Sequence, residues 1–260
     1  MILHKKYFFV LLAAVALVFS GCAATSSGSL LGEAAALKYS DGNDKPHFVD
    51  AGILVAGAGK KHTVSSPHHE NEISGIALTA NMSLFSYNYE ILGQKGGLFL
   101  SLPVTLPMDL GFRNSFVQWV GPFYLGAGTS FVVGYYTNDQ KESYEPKKDN
   151  SNGRFDAFIL YNVGGGAMID VGKDASFGAY VNYERMALNS GGSNTSNEIL
   201  NFGEDENLPP YAVRGNVMTF GVDLFINMKN PFGIYFEYAP ADLPLNDGWS
   251  KFKIGGMVLY

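Results

Sequence analysis

Hydrophobic and polar positions alternate along most of the chain after residue 46, with the two-residue period of β-strands. The pattern is clearest in "NVMTFGVDLFINM", where Phe220, Val222 and Leu224 share an apolar face and Thr219 and Asp223 lie on the opposite face. Similar alternation predicts strands near 47–58, 72–84, 96–104, 114–122, 124–137, 153–170, 175–188, 213–228, 231–240 and 249–260. We therefore expect ten strands, with eight as the alternative because prolines interrupt the pattern between residues 84 and 122.

The connections between these strands are of two kinds. Tight turns such as "VGKD" (171–174) and "MKNP" (228–231) alternate with long polar loops at about 59–72, 138–152 and 189–212. Several strands also reach the 9 to 11 residues that a tilted strand needs to cross a bilayer. Bacterial outer-membrane barrels place short turns on the periplasmic side and long loops outside. The pattern thus predicts an all-β fold, a closed antiparallel up-and-down transmembrane barrel over residues 46–260.

The last ten residues, "KFKIGGMVLY", end on an aromatic residue in mid-strand. The spacing of Lys253, Gly255, Val258 and Tyr260 resembles the carboxy-terminal β-signal of the bacterial outer-membrane β-barrel superfamily, although an aromatic residue is more typical at the Val258 position. The resemblance implies recognition of the final strand by the barrel assembly machinery and residence among outer-membrane lipids. A last strand that pairs with the first would close the barrel and leave no edge in lipid.

The first residues have the layout of a secretory signal peptide, with two basic residues, an apolar core and small residues before the only cysteine. "FSGC" resembles the bacterial lipobox, which implies removal of residues 1–21 and lipidation of Cys22. We interpret residues 22–45 as a lipid-anchored linker. Within it "LLGEAAALKY" could form a short helix, but a solvated linker with one loose helical turn is favoured.

The charge and composition of the chain further limit the classes of function and partner that we expect. The formal net charge of -6 becomes -8 once the two lysines of the signal peptide are removed, which argues against nucleic acid as a partner. Aromatic residues make up 14% of the chain and glycines number 31. Both are expected where aromatic girdles and closely approaching strands are needed.

No catalytic constellation is evident in the sequence. All five histidines precede residue 70, so the second half of the chain lacks the Ser and His pair of outer-membrane hydrolases and the Asp and His pair of omptin proteases. His62, His68, His69, Glu70 and Glu72 could bind a transition metal, but a solvated loop is favoured. The acidic side chains of loop 189–212 are likewise interpreted as exposed surface and not as a calcium site. We expect no enzyme activity, no cofactor and no metal.

Charged positions on the predicted inward faces are the best candidates for a role in the lumen. By parity they are Asp156, Asp170, Glu184, Asp223, Glu237, Lys251 and Lys253. Because a barrel of eight to ten strands is barely wide enough to be filled by side chains, these groups are expected mainly to pair across the interior. The sequence favours a non-enzymatic outer-membrane lipoprotein with a structural or surface-interaction role. A narrow channel for small solutes and a soluble β-barrel lipoprotein that binds an apolar ligand are the alternatives.

Overall fold

The structure is a computed structural model that describes residues 29–40, 46–58, 74–106, 109–136, 154–189, 216–246 and 249–260. It contains one α-helix, α1 (Leu31–Tyr39), a short 3₁₀ helix (Pro244–Asn246) and ten antiparallel strands. The strands are β1 (Phe48–Ala58), β2 (Ser74–Ile91), β3 (Gln94–Leu106), β4 (Asp109–Val120), β5 (Phe123–Tyr136), β6 (Arg154–Asp170), β7 (Ala175–Asn189), β8 (Asn216–Ile226), β9 (Phe232–Ala239) and β10 (Trp249–Leu259). Neighbours in sequence pair in space, and β10 returns to β1, so the predicted closed up-and-down barrel of ten strands is confirmed.

The barrel closes through a continuous ladder between the first and last strands. Its register runs from Phe48 opposite Leu259 to Ala58 opposite Trp249. Beyond the ladder, His47 and Tyr260 exchange two backbone hydrogen bonds of 3.1 Å each. Every strand therefore has two paired neighbours and no open edge remains.

The two ends of the barrel differ. At one end, here called the turn end, short connections join β2 to β3, β4 to β5, β6 to β7 and β8 to β9. At the other, the loop end, the connections 59–73, 137–153 and 190–215 lie outside the described residues, whereas β3 and β4 are joined by only residues 107–108. The start of β1 and the end of β10 lie at the turn end, where Phe48 pairs with Leu259.

The strands between residues 74 and 120 are longer than the alternation predicts. The ladder between β3 and β4 pairs Ser101 with Arg113 and resumes, in the same register, at Val104 and Leu110. The interruption falls at Pro103, which has no backbone N–H to donate to β4. A β-bulge between Ser83 and Phe85 also shifts the parity of β2. Because of Pro103 and the bulge, the alternation predicts the wrong strand boundaries in this region, although it predicts the right number of strands.

The outer wall of the barrel is apolar, whereas the inner wall combines buried polar and charged side chains with a hydrophobic cluster around α1. Inward side chains that are buried include Ser101, Thr105, Ser130 and Asn162, whereas outward positions carry exposed valine, leucine, isoleucine and phenylalanine. Exposed aromatic side chains lie nearer the loop end at Phe112, Phe131, Phe220 and Tyr238, and nearer the turn end at Phe123, Phe177, Phe232 and Tyr260. Phe123 and Phe131 both lie on β5, about 26 Å apart along the strand at 3.3 Å per residue. The arrangement matches an apolar band between two aromatic girdles.

Helix α1 lies inside the barrel. Its residues from Leu31 to Leu37 are buried, and they contact β1, β3, β4 and β10. The expectation of a solvated linker is therefore wrong for this segment, because a ten-strand lumen is wide enough to enclose a helix of small side chains. Cys22 and the rest of the predicted linker, apart from residues 29–40, lie outside the described residues.

The polarity of the wall predicts unequal costs for a charge on its two faces. Ile254 faces outward from the middle of β10 and is 52% exposed, whereas Thr219 faces the lumen on β8. In lipid vesicles Ile254→Arg should lower the free energy of unfolding by about 2–4 kcal/mol, because the charge lies in the apolar band. Thr219→Arg, which places the same charge among interior carboxylates, serves as the control and should cost less. Unfolding by denaturant measures both, and equal costs would contradict the membrane orientation of the wall.

Candidate functional site

The turn half of the lumen is occupied by α1, whose sequence "LGEAAALKY" suits an enclosed space. Alanine and leucine favour the helix, and small side chains let it approach the wall closely. A Cβ added to Gly32 would lie 2.7 Å from the ring of Phe48, and one added to Gly97 of β3 would lie 2.8 Å from Leu37. Both glycines thus make room for contact between the helix and the barrel.

The first turn of α1 is fixed to β4 by a buried polar cluster. Glu33 accepts a hydrogen bond of 2.9 Å from the Ser115 hydroxyl and lies 3.4 Å from an Arg113 guanidinium nitrogen. Another nitrogen of Arg113 donates to the carbonyl of Ser29 at 3.0 Å. Both charged side chains are fully buried. A buried pair of this kind is costly to break, since either partner alone would leave a charge without compensation.

The last turn of α1 is held at the turn end. The Lys95 ammonium, beside the turn between β2 and β3, donates to the carbonyls of Leu37, Lys38 and Ser40, the last at 2.6 Å. These carbonyls have no partner within the helix, and a cation there also complements the helix dipole. Lys38 in turn forms an ion pair of 2.8 Å with Asp170 at the end of β6.

Two further polar contacts fix the helix to the wall. The Tyr39 hydroxyl is hydrogen-bonded to the Ser176 hydroxyl of β7, and burial raises the pKa of Tyr39, so the phenol stays neutral. The indole nitrogen of Trp119 donates to the carbonyl of Ala34 at 3.1 Å. Contacts to β2–β3, β4, β6 and β7 therefore surround the helix.

Large aromatic side chains fill the space beside the helix. Tyr124, Tyr180, Phe225 and Tyr235 are buried in the same hydrophobic cluster as α1. A Cβ on Gly166 would lie 2.6 Å from Tyr180 and 2.9 Å from the Tyr124 hydroxyl, so this glycine makes room for side chains of the two adjacent strands. Helix and aromatics together close the turn half of the lumen.

The predicted lumen charges lie in different surroundings. Glu184, Asp223, Glu237, Lys251 and Lys253 are buried. Asp170 is exposed at the turn end, where it pairs with Lys38 and not across the interior. Asp156 lies on β6, in a stretch whose side chains are outside the described set.

Three charged lumen residues escaped the sequence analysis. Asp50 of β1 lies 3.3 Å from the Lys253 ammonium and accepts a hydrogen bond from the Tyr235 hydroxyl. Arg113 and Glu33 form the second buried pair. Asp50 and Arg113 each lie between two outward positions of their strands, and parity applied to β1 and β4 would have placed both inside. No strand parity applies to Glu33, because it lies on the helix, and its partner Arg113 belongs to β4.

The β-signal positions divide between the two faces of the barrel. Lys253 points inward, whereas Val258 and Tyr260 are exposed on the outer wall. Gly255 lies under the ring of Tyr235 on the neighbouring strand, with no room for a Cβ. The conformation is consistent with a closing strand, and recognition by the assembly machinery stays a prediction.

Residues 59–73 and 190–215, which include the two loops interpreted as solvated surface and not as metal or calcium sites, lie outside the described residues. Among the residues that the structure describes, no three His, Cys, Asp or Glu side chains come together as a possible metal site. None of the described helices is long and apolar enough to cross a membrane.

The chain is a closed ten-strand β-barrel whose lumen is plugged at one end by its own helix. No family model and no curated protein matches its sequence. Among solved structures it is similar to the NanC porin, with 10% identity and a TM-score of 0.35 over 81% of this chain and 98% of that one. An engineered protein solved in work on asymmetric conductivity matches with 7% identity and a TM-score of 0.19, over 83% of this chain and all of the other. At these values neither likeness adds to what the topology already shows.

The buried cluster predicts that Glu33 controls how firmly α1 is held. Glu33→Ala leaves Arg113 without its carboxylate partner in the lumen, at a cost of about 3 kcal/mol to helix docking. Amide hydrogen exchange over residues 31–39 should accelerate by about a hundredfold, while exchange in the strands changes little. Glu90→Ala, at an exposed position near the turn end, is the control. Unchanged helix protection in Glu33→Ala would contradict a role for this pair.

Proposed function

We propose that the protein is a non-enzymatic outer-membrane β-barrel, lipid-anchored through Cys22, that acts as a structural or surface-interaction protein. The observation that supports this proposal is the inverted polarity of the barrel. Its outward strand positions are apolar and exposed, while buried charges and hydroxyl groups face its interior. A soluble barrel that binds an apolar ligand would be expected to show the opposite arrangement.

The extent of the apolar surface supports a membrane location. Large hydrophobic side chains are exposed at 36 of the described positions, and they form a band around the barrel. Contiguous apolar patches on soluble monomers rarely exceed a few hundred square ångströms. A closed barrel also satisfies its backbone hydrogen bonds internally, as hydrocarbon surroundings require.

The plugged lumen favours a structural role over solute conduction. In the turn half, α1 and the aromatic cluster occupy the space through which solute would pass. The helix is held by the Glu33 and Arg113 ion pair at one end and by Lys95 at the other. Conduction would require displacement of these contacts. The loop end, with its long polar connections, is the surface that we assign to interaction with other molecules.

Lipid anchoring is the part of the proposal that depends on the sequence alone. The motif "FSGC" supports it, and Cys22 provides the thiol. Six residues separate this thiol from the first described residue, Ser29.

Extraction of the protein from membranes tests the transmembrane proposal independently of the proposed lipid. The Cys22→Ala variant cannot carry lipid at that position, yet its apolar band should keep it in the outer-membrane fraction after an alkaline wash and make it dependent on detergent. Sedimentation of washed membranes from cells that express the variant measures this. Release of folded variant into detergent-free buffer would contradict the transmembrane proposal and favour a soluble barrel.

Planar-bilayer recording separates the structural role from a channel. The intact protein should give no discrete conductance steps, because α1 occupies the turn half of the lumen. A variant without residues 23–40 should give steps, and its heat-modifiable migration in gels checks that the barrel is folded. Reproducible steps from the intact protein would overturn the structural proposal and favour the channel.

A further inference from the structure

A cavity with several charged side chains in its wall, here called the vestibule, lies between the first turn of α1 and the loop end of the barrel. Ser29 and Gly32 form its floor. Its wall is charged on one side, with contributions from Asp50, Glu184, Glu237, Lys251 and Lys253. Hydroxyl and amide side chains, among them Thr79, Thr105, Asn182 and Thr219, also line the cavity, together with apolar side chains such as Phe48, Leu54, Val217 and Met257. The vestibule is thus closed below by the helix and lined by groups that bind polar solutes.

One charge in the wall has no direct partner. Lys251 is only 7% exposed, and among the described residues no hydrogen bond or ion pair involves its ammonium group. Lys253, two residues further along the same face of β10, lies 3.3 Å from Asp50 and is paired. A buried ammonium without a partner is costly, and the cost falls when an acceptor binds to it.

The first backbone N–H groups of α1 form a second set of hydrogen-bond donors, at the floor of the vestibule. Leu30 caps the start of α1 without a side-chain hydrogen bond, so the capping residue supplies no acceptor to the first amide groups of the helix. These N–H groups point along the helix axis toward its start, where Ser29 and Gly32 border the vestibule. The Glu33 carboxylate does not serve them, because it bonds sideways to Ser115 and Arg113. Donors from the wall and from the floor therefore face the same space.

Two wall carboxylates limit which acceptor can enter. Glu184 and Glu237 lie close enough to Lys251 to interact with its charge, and Glu237 already accepts a hydrogen bond of 2.9 Å from Tyr180. A simple anion near Lys251 would be repelled by both carboxylates. A solute that also carries a positive charge would be attracted to them.

We propose that the vestibule binds a small zwitterion with a carboxylate and an ammonium group, as in a free amino acid. The ligand carboxylate accepts hydrogen bonds from Lys251 and from the first amides of α1. The ligand ammonium faces Glu184 and Glu237. This binding role goes beyond the structural role proposed above, and the plug that blocks conduction supplies the floor of the site.

Three probes of matched size test the charge requirement on the intact protein. Titrations of glycine, acetate and methylammonium into the protein in detergent micelles are followed by saturation-transfer NMR. Glycine should bind saturably and at least tenfold more tightly than acetate or methylammonium, because it alone satisfies both sets of groups. Absence of saturable glycine binding, or equal affinity for acetate, would overturn the proposal.

A substitution locates the site. Lys251→Gln should weaken glycine binding at least tenfold, whereas Lys173→Gln, in the exposed turn between β6 and β7, should leave it unchanged. Equal affinity of Lys251→Gln and the unsubstituted protein would place the ligand elsewhere and overturn the assignment. The three-probe comparison needs no variant, so it stands even if Lys251→Gln fails to fold. Micelle titrations also do not depend on membrane location, so failure here is distinct from failure of the extraction test.

Discussion

The ladder between β1 and β10 is the constraint on which the rest of the structure depends. It joins the two ends of the sheet over the whole length of both strands, from Phe48 opposite Leu259 to Ala58 opposite Trp249. Once the sheet is closed, each strand has an outside and an inside, and a two-residue period assigns every side chain to one of them. The apolar outer wall and the polar inner wall are both consequences of closure.

Closure also creates an interior that must be filled. Ten strands enclose more space than their inward side chains occupy, and much of the inner wall in the turn half consists of glycine, serine and a few large aromatic residues. Helix α1 supplies the missing volume. Its small side chains fit the lumen, and Arg113, Lys95 and Lys38 bind carbonyl or carboxylate oxygens near its two ends. The helix and the wall are therefore complementary in shape as well as in charge.

The strands could be predicted from the sequence, whereas the helix plug could not. Alternation along β6 to β10 depends on one local property, the period of the backbone, and a single segment shows it. The boundaries around Pro103 and the bulge at Ser83 were missed because pairing with a neighbouring strand decides them. Helix α1 has almost no amphipathic pattern, since it is enclosed on all sides and has no face toward water. Nothing in "LGEAAALKY" alone separates such a helix from a loose turn.

The predicted lumen charges show a similar limit. Parity places Glu184, Glu237 and Lys251 on the inner face, because the pleat of the strand alone determines it. Their partners depend on the three-dimensional arrangement, so Asp170 pairs with the helix residue Lys38 and Lys253 pairs with Asp50. The two pairs lie at different heights in the barrel. The sequence therefore could not distinguish the charges that hold the plug from those that line the vestibule.

The direction of α1 determines where the chain upstream of the helix begins. The last turn of α1 lies at the turn end, beside Lys95 and Asp170, while Ser29 opens into the vestibule. The helix therefore separates the chain upstream of Ser29 from the start of β1. The seven residue steps from Cys22 to Ser29 span at most about 25 Å when fully extended, so the proposed lipid on Cys22 would be tethered within that radius of the middle of the lumen. Its acyl chains can reach a bilayer only by way of the loop end or with α1 withdrawn from the barrel. If Cys22 carries the proposed lipid, lipid attachment and helix docking are coupled through the length of one short tether, and the leaflet that holds the lipid depends on the position of the plug.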